Sequence, residues 1–155
     1  MTIHLSLPGD DLLDQSLAEF MGYFWCRFNS GQVVGERIVR FLVSQEQFDE
    51  AKIKFGPGSI TAATGQEPIE QLAFKAVPAY HSSRDLMALV EAKIYSMQLW
   101  QTYLMRFNYM LNISNASALT AEQRWAQITA SARVRSIAAY LLLDSQRPKQ
   151  QVLFG

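Results

Sequence analysis

Apolar residues recur at helical spacing from Asp10 to Phe24, where Leu12, Leu13, Leu17, Phe20, Met21 and Phe24 predict a helix with Asp10 and Asp11 at its positive end. The pattern then changes. The run Tyr23-Phe24-Trp25-Cys26-Arg27-Phe28 reads as an aromatic strand, followed by the turn signal Asn29-Ser30-Gly31. Glu36 to Val43, rich in β-branched and aromatic residues, predicts a second strand. Ser44 with Gln47 three residues on has capping-box spacing. It opens a short helix from Gln45 to about Lys54 that would bury Phe48, Ala51 and Phe55. Gly56-Pro57-Gly58 ends that helix, and Ser59 to Ala76 has a loop-like pattern in which Ile69 to Phe74 fits a helical turn or a short strand.

Pro78 holds Val77 extended, and Ser82 or Ser83 caps a helix to about Ile94 that turns Leu86, Leu89, Val90 and Ile94 inward. From Met97 to Ile113 the rings Trp100, Tyr103, Phe107 and Tyr109 alternate with Gln, Arg and Asn. Two adjacent strands fit that composition better than one helix, although Leu99, Tyr103, Arg106 and Met110 also keep helical spacing. Ser114 to Leu119 reads as loop. Thr120 and Gln123 form a second capping box, opening a helix from Ala121 to Leu143 with a bend near Ser131. Its core side would carry Ile128, Ala132, Ile137 or Ala138, and Leu141, and residues 148–155 read as a flexible tail. Arg27-Phe28-Asn29 and Arg106-Phe107-Asn108 close both aromatic runs, an echo too short to establish a repeat.

Composition narrows the class. With 49% apolar and 18% charged residues among 155, the chain is a packed globular protein, expected as a single α+β domain over residues 1–147. A chain of this length buries roughly 70% of its unfolded surface and folds without disulfide or metal. The formal charge is zero, which argues against general nucleic-acid binding. The halves differ, however: residues 1–77 carry a net −4 and residues 78–155 a net +4.

Most common chemistries lack their residues. The lone Cys26 sits in an apolar strand, where it acts as a small hydrophobe. His4 and His81 have no second ligand at metal spacing, so no metal site is expected. The glycines match neither phosphate-loop pattern, and no Gly-x-Ser-x-Gly elbow occurs. No catalytic residue and no cofactor are implied. The start resembles no signal peptide and no run is long enough to span a membrane, so a cytoplasmic location is expected. The sequons at Asn112 and Asn115 then carry no meaning.

Binding residues are the remaining candidates. Tyr80, His81, Ser82, Ser83 and Arg84 bring donors to a helix start, where free backbone N–H groups favour an anion. An ordinary serine cap with a packed tyrosine explains the same residues without any ligand. Arg124, Arg133 and Arg135 form a basic ridge that fits a nucleotide, an acidic partner or internal pairing with the acidic first half. Trp100 and Tyr103, beside arginines, suit a protein interface or a base-stacking pocket.

Three segments together resemble the phage ABA sandwich domain, a small α-β-α unit of uncharacterised bacteriophage accessory proteins. They are the opening helix Leu13-Asp14-Gln15-Ser16-Leu17-Ala18-Glu19-Phe20-Met21-Gly22-Tyr23, the turn and cap Val77-Pro78-Ala79-Tyr80-His81-Ser82-Ser83-Arg84-Asp85, and the closing helix from Ser131 to Leu142. The resemblance covers roughly residues 12–23 and 77–143 and departs at about 29–76, an inserted strand-helix segment. It implies a short antiparallel sheet covered by helices and a phage context, but no reaction. The expected function is a non-enzymatic accessory protein, in the host cytoplasm if phage-encoded, that binds a host protein and counteracts antiviral defence. The alternative is a homo-oligomeric sponge for a nucleotide signal. A sponge requires Arg84, Arg133 and Arg135 to converge on one pocket with a ring, whereas protein binding requires an open, partly apolar surface.

Overall fold

The computed structural model describes residues 8–28, 39–62, 72–75, 77–114 and 118–146. The expected turn at Asn29–Gly31, the beginning of the second strand, most of the 59–76 loop and the tail lie outside these residues. The chain is α+β, built as two compact units: residues 14–78 form one, and residues 1–13 with 79–155 the other. Helix α1 (Asp10–Phe20) contributes its first turn to the second unit and its remainder to the first.

The first unit holds β1 (Phe24–Phe28), β2 (Val39–Val43), α2 (Gln45–Phe55), β3 (Ile60–Ala62) and β4 (Leu72–Lys75). The strands form one sheet in the order β3-β1-β2-β4. β1 runs antiparallel to β2, as expected, and also to β3, which falls at the start of the segment read as loop, while β4 joins the edge parallel to β2 and makes the sheet mixed. Directly opposite residues in an antiparallel pair share a face. Trp25 lies opposite Leu42, and Cys26 opposite Phe41 and Ala62, so the two buried residues Cys26 and Leu42 point to opposite faces. Both faces are therefore covered. Glu19 of α1 accepts from the Trp25 indole at 3.3 Å, and Phe48 of α2 meets Phe24 edge-on at 5.3 Å. Burial pushes the Cys26 thiol up to about 11, so it sits in the sheet as a protonated hydrophobe. The Ser44/Gln47 capping box forms, but α2 buries no residue fully, and Phe55, expected in the core, is 58% exposed. Lys54 instead sits over its ring.

The second unit is helical in its described residues: a 3-10 turn at Tyr80–Ser82, α3 (Arg84–Ser96), α4 (Trp100–Met110), α5 (Ala121–Thr129) and α6 (Ala132–Gln146). The favoured strands at Met97–Ile113 are a helix. The residues that α4 buries include Tyr103 and Asn108, five positions apart, an odd separation that a strand would put on opposite faces and a helix can bury together. Of the echo, Arg27 and Phe28 fall on a strand and Arg106-Phe107-Asn108 on a helix. The Ala121–Leu143 helix is two helices separated at Ala130 and Ser131. The core consists of Met87, Val90 and Ile94 from α3, Tyr103 and Phe107 from α4, and Ile137, Ala138, Ala139 and Leu142 from α6. Leu89, expected inside, is 58% exposed; Met87 takes the inward position.

Helices α1, α3 and α4 end alike. A residue at positive φ (Gly22 at 103°, Gln98 at 61°, Asn112 at 58°) lets the next N–H reach back five residues, from Tyr23 to Ala18, Leu99 to Ile94 and Ile113 to Asn108. These reversals close the α3-α4 turn within Met97–Leu99, which orients the aromatic face of α4 toward α3 and α6.

Candidate functional site

The sequence candidates separate into two groups, both in the helical unit. At the 3-10 turn, Tyr80 is buried in the core and the Ser82 hydroxyl donates to the Ala79 carbonyl at 3.3 Å. Ser83 caps α3 by accepting the Leu86 N–H at 3.2 Å. His81 Nε2 lies 3.8 Å from Asp10, whose carboxylate also accepts from Arg133 Nε at 3.0 Å. The hydroxyls of this helix start are thus engaged locally, and Arg133 already has its anion.

The second group centres on Arg135. Its Nη1 donates to both Glu91 oxygens at 3.0 and 3.3 Å, its Nη2 to the carbonyls of Gln127 at 2.7 Å and Ile128 at 3.4 Å, and its Nε to Ala130 at 3.1 Å. The guanidinium also lies 5.1 Å from the Phe107 ring centre. The sequence requires this arrangement: Glu91 sits on the inward stripe of α3 between Met87 and Ile94, where an unpaired carboxylate would be costly. Tyr103 completes it, donating to Glu91 at 2.8 Å. Burial first, then the adjacent Glu91 carboxylate, keeps the Tyr103 hydroxyl protonated well above the ordinary tyrosine range.

Four rings lead from the surface to this cluster. Exposed Tyr95 meets Trp100 at 6.1 Å, Trp100 meets Tyr103 at 5.2 Å, and Tyr103 stacks on Phe107 at 5.8 Å. Between α4 and α5 they leave a cleft of about 230 Å³, walled by Trp100, Leu104, Phe107 and Ile128, with Glu91, Tyr103, Gln127 and Arg135 at its floor. The floor has few polar groups to spare. Glu91, Tyr103 and Arg135 satisfy one another, and Gln127 donates to Asn108 at 2.6 Å.

Helix α5 forms the outer wall without burying a single residue. Polar clamps at one end hold it: Arg135, Gln127 to Asn108, and Arg84, which donates to the Ile128 carbonyl at 2.8 Å. Its outward residues Trp125 and Ile128, one helical turn apart, are 66% and 60% exposed. Ile128, expected in the core, instead lies at the mouth of the cleft. A larger hollow of about 550 Å³ at the end of α4 is lined, among the described residues, by Tyr109, Met110, Asn112, Ile113 and Ser114, with no charged group.

Of the candidates, Trp100, Tyr103 and Arg135 therefore share one cleft, Arg84 joins them at its rim, and Tyr80, His81, Ser82, Ser83 and Arg133 lie elsewhere. Sequence reading did not single out Glu91, Leu104, Phe107, Gln127 or Ile128 for this site, although Glu91 on an apolar stripe was a usable signal. Among the described residues, no three His, Cys, Asp or Glu side chains cluster as metal ligands, and no helix is long and apolar enough to cross a membrane. Comparison with protein-family models, curated proteins and solved structures finds no match to the chain.

Proposed function

We propose that the protein acts by binding, docking a host protein against the α4-α5 surface as an accessory factor that counters host defence. The observation that carries this reading is the pair Trp125 and Ile128, exposed on a helix that buries nothing, beside an apolar cleft. A soluble chain that leaves a tryptophan and an isoleucine together on its surface gains nothing from them in folding, whereas such residues are the usual anchors of protein interfaces. The phage setting is the contribution of the sequence resemblance to the ABA sandwich family.

Two facts favour a protein partner over a nucleotide signal. The cleft, at about 230 Å³, falls below the ~300–1,000 Å³ typical of small-molecule pockets and suits one anchoring side chain. Of the three arginines that must converge to bind a nucleotide, Arg133 pairs with Asp10 away from the cleft and Arg135 is taken up by Glu91 and three carbonyls, which leaves only Arg84 with donors to spare at the rim. Affinity capture from host lysate, comparing the native chain with a Trp125→Ser/Ile128→Asp variant of unchanged circular dichroism, tests the reading. It expects a captured protein that the variant loses. Identical captured sets, or retention of a nucleotide-sized mass in native mass spectrometry, would count against it.

A further inference from the structure

We infer that the partner segment entering the α4-α5 cleft combines an aliphatic or aromatic anchor with flanking carboxylates. This inference rests on the binding reading above and specifies the chemistry of its partner. The anchor follows from the cleft walls. Trp100, Leu104, Phe107 and Ile128 offer apolar contact, while Glu91, Tyr103 and Arg135 on the floor have spent their hydrogen bonds on one another and on backbone carbonyls, so a polar side chain would lose water there for little recompense.

The carboxylates follow from the rim. Arg124 lies four residues before Ile128, hence on the same helical face, exposed and without a partner among the described residues. Arg84 gives Nη2 to the Ile128 carbonyl, and no described group occupies its Nε or Nη1. Neither arginine pairs with a described carboxylate. The nearby acids do not cancel them. Glu91 is neutralised by Arg135, and Asp85, next to Arg84 in sequence, projects from a different side of α3. Glu122, two residues before Arg124, lies roughly 200° around α5 from it and so projects from the opposite side of the helix. The cleft mouth is thus apolar with a positive border, complementary to an acidic and apolar segment.

A random dodecapeptide library, displayed and selected against the full chain, provides the probe. Binding of the selected peptides is then compared among the native chain, Ile128→Asp, Ile128→Ala and Arg124→Glu, with circular dichroism confirming each fold. The expected peptides place Trp, Phe or Leu beside Asp or Glu. Their affinity falls at least ~10-fold in Ile128→Asp and roughly 3- to 10-fold in Arg124→Glu, and it weakens with salt. Peptides that need Ile128 but carry no acidic bias and ignore Arg124→Glu would overturn the inference and leave the binding reading standing. Peptides indifferent to both Ile128 variants, or a selection that yields no binder, would overturn both.

Discussion

Arg135 donates to both oxygens of Glu91, and the rest of the same guanidinium grips the terminal carbonyls of α5. One side chain thereby joins α3, α5 and α6 and sets the wall of the cleft. Both members of the pair are largely buried, so removing one leaves an uncompensated charge in the interior. Glu91→Gln and Arg135→Met should each destabilise the protein by about 2–4 kcal/mol. The double replacement should cost clearly less than the sum. Urea unfolding of the four-member cycle measures this, and simple additivity would remove the pair from its central role.

Stability should fall in alkaline solution. Cys26 and Tyr103 both hold their protons in the folded state above their ordinary values of 9.0 and 10.0, because burial disfavours the charged forms. Above pH 9 the unfolded chain binds fewer protons than the folded one, so the unfolding free energy declines as pH rises. Urea midpoints should drop across this range, and less steeply in Cys26→Ala and Tyr103→Phe. Equal slopes in all three proteins would contradict the assignment.

Gln98 occupies a left-handed conformation, φ 61°, at the turn from α3 to α4. A side chain there carries a penalty that glycine lacks. Gln98→Gly should therefore stabilise the protein by about 0.5–1 kcal/mol, with the opposite sign from most glycine substitutions. A lowered melting temperature would show that this conformation is not populated.

Helix α5 buries no residue and is held by side chains at its C-terminal end, whereas α6 buries six. Local opening costs least where apolar burial is smallest. Backbone amides of α5 should thus exchange with deuterium well before those of α6, and Gln127→Ala should speed α5 further by removing the bond to Asn108. Equal protection of α5 and α6 would refute this account of how the outer wall is held.

Local chemistry was the most readable part of the sequence. The capping boxes at Ser44 and Thr120 and the cap at Ser83 form as their side chains dictate, because each depends on residues within one turn. The aromatic segment at 100–110 was harder, since ring content favours strands while the spacing of Trp100, Tyr103, Leu104 and Phe107 favours a helix. Packing resolved it: those four side chains line one cleft, as a helix face allows and a strand does not. Ile128 was misplaced for a related reason. Its spacing points inward only on a helix continuous from Ala121 to Leu143, and the break at Ala130 and Ser131 lets α5 turn Ile128 outward. The Arg135 clamp joins residues 44 apart in sequence, and no local pattern records such a contact.

The most direct measurement is photo-crosslinking in host cells, with a crosslinking side chain placed at Ile128 and, separately, at Ile53. Both positions are strongly exposed, but Ile53 lies on α2 in the other unit. Docking at the α4-α5 surface predicts a discrete host-protein adduct from Ile128 and none from Ile53. An adduct from Ile53 alone, or none from Ile128, would contradict it.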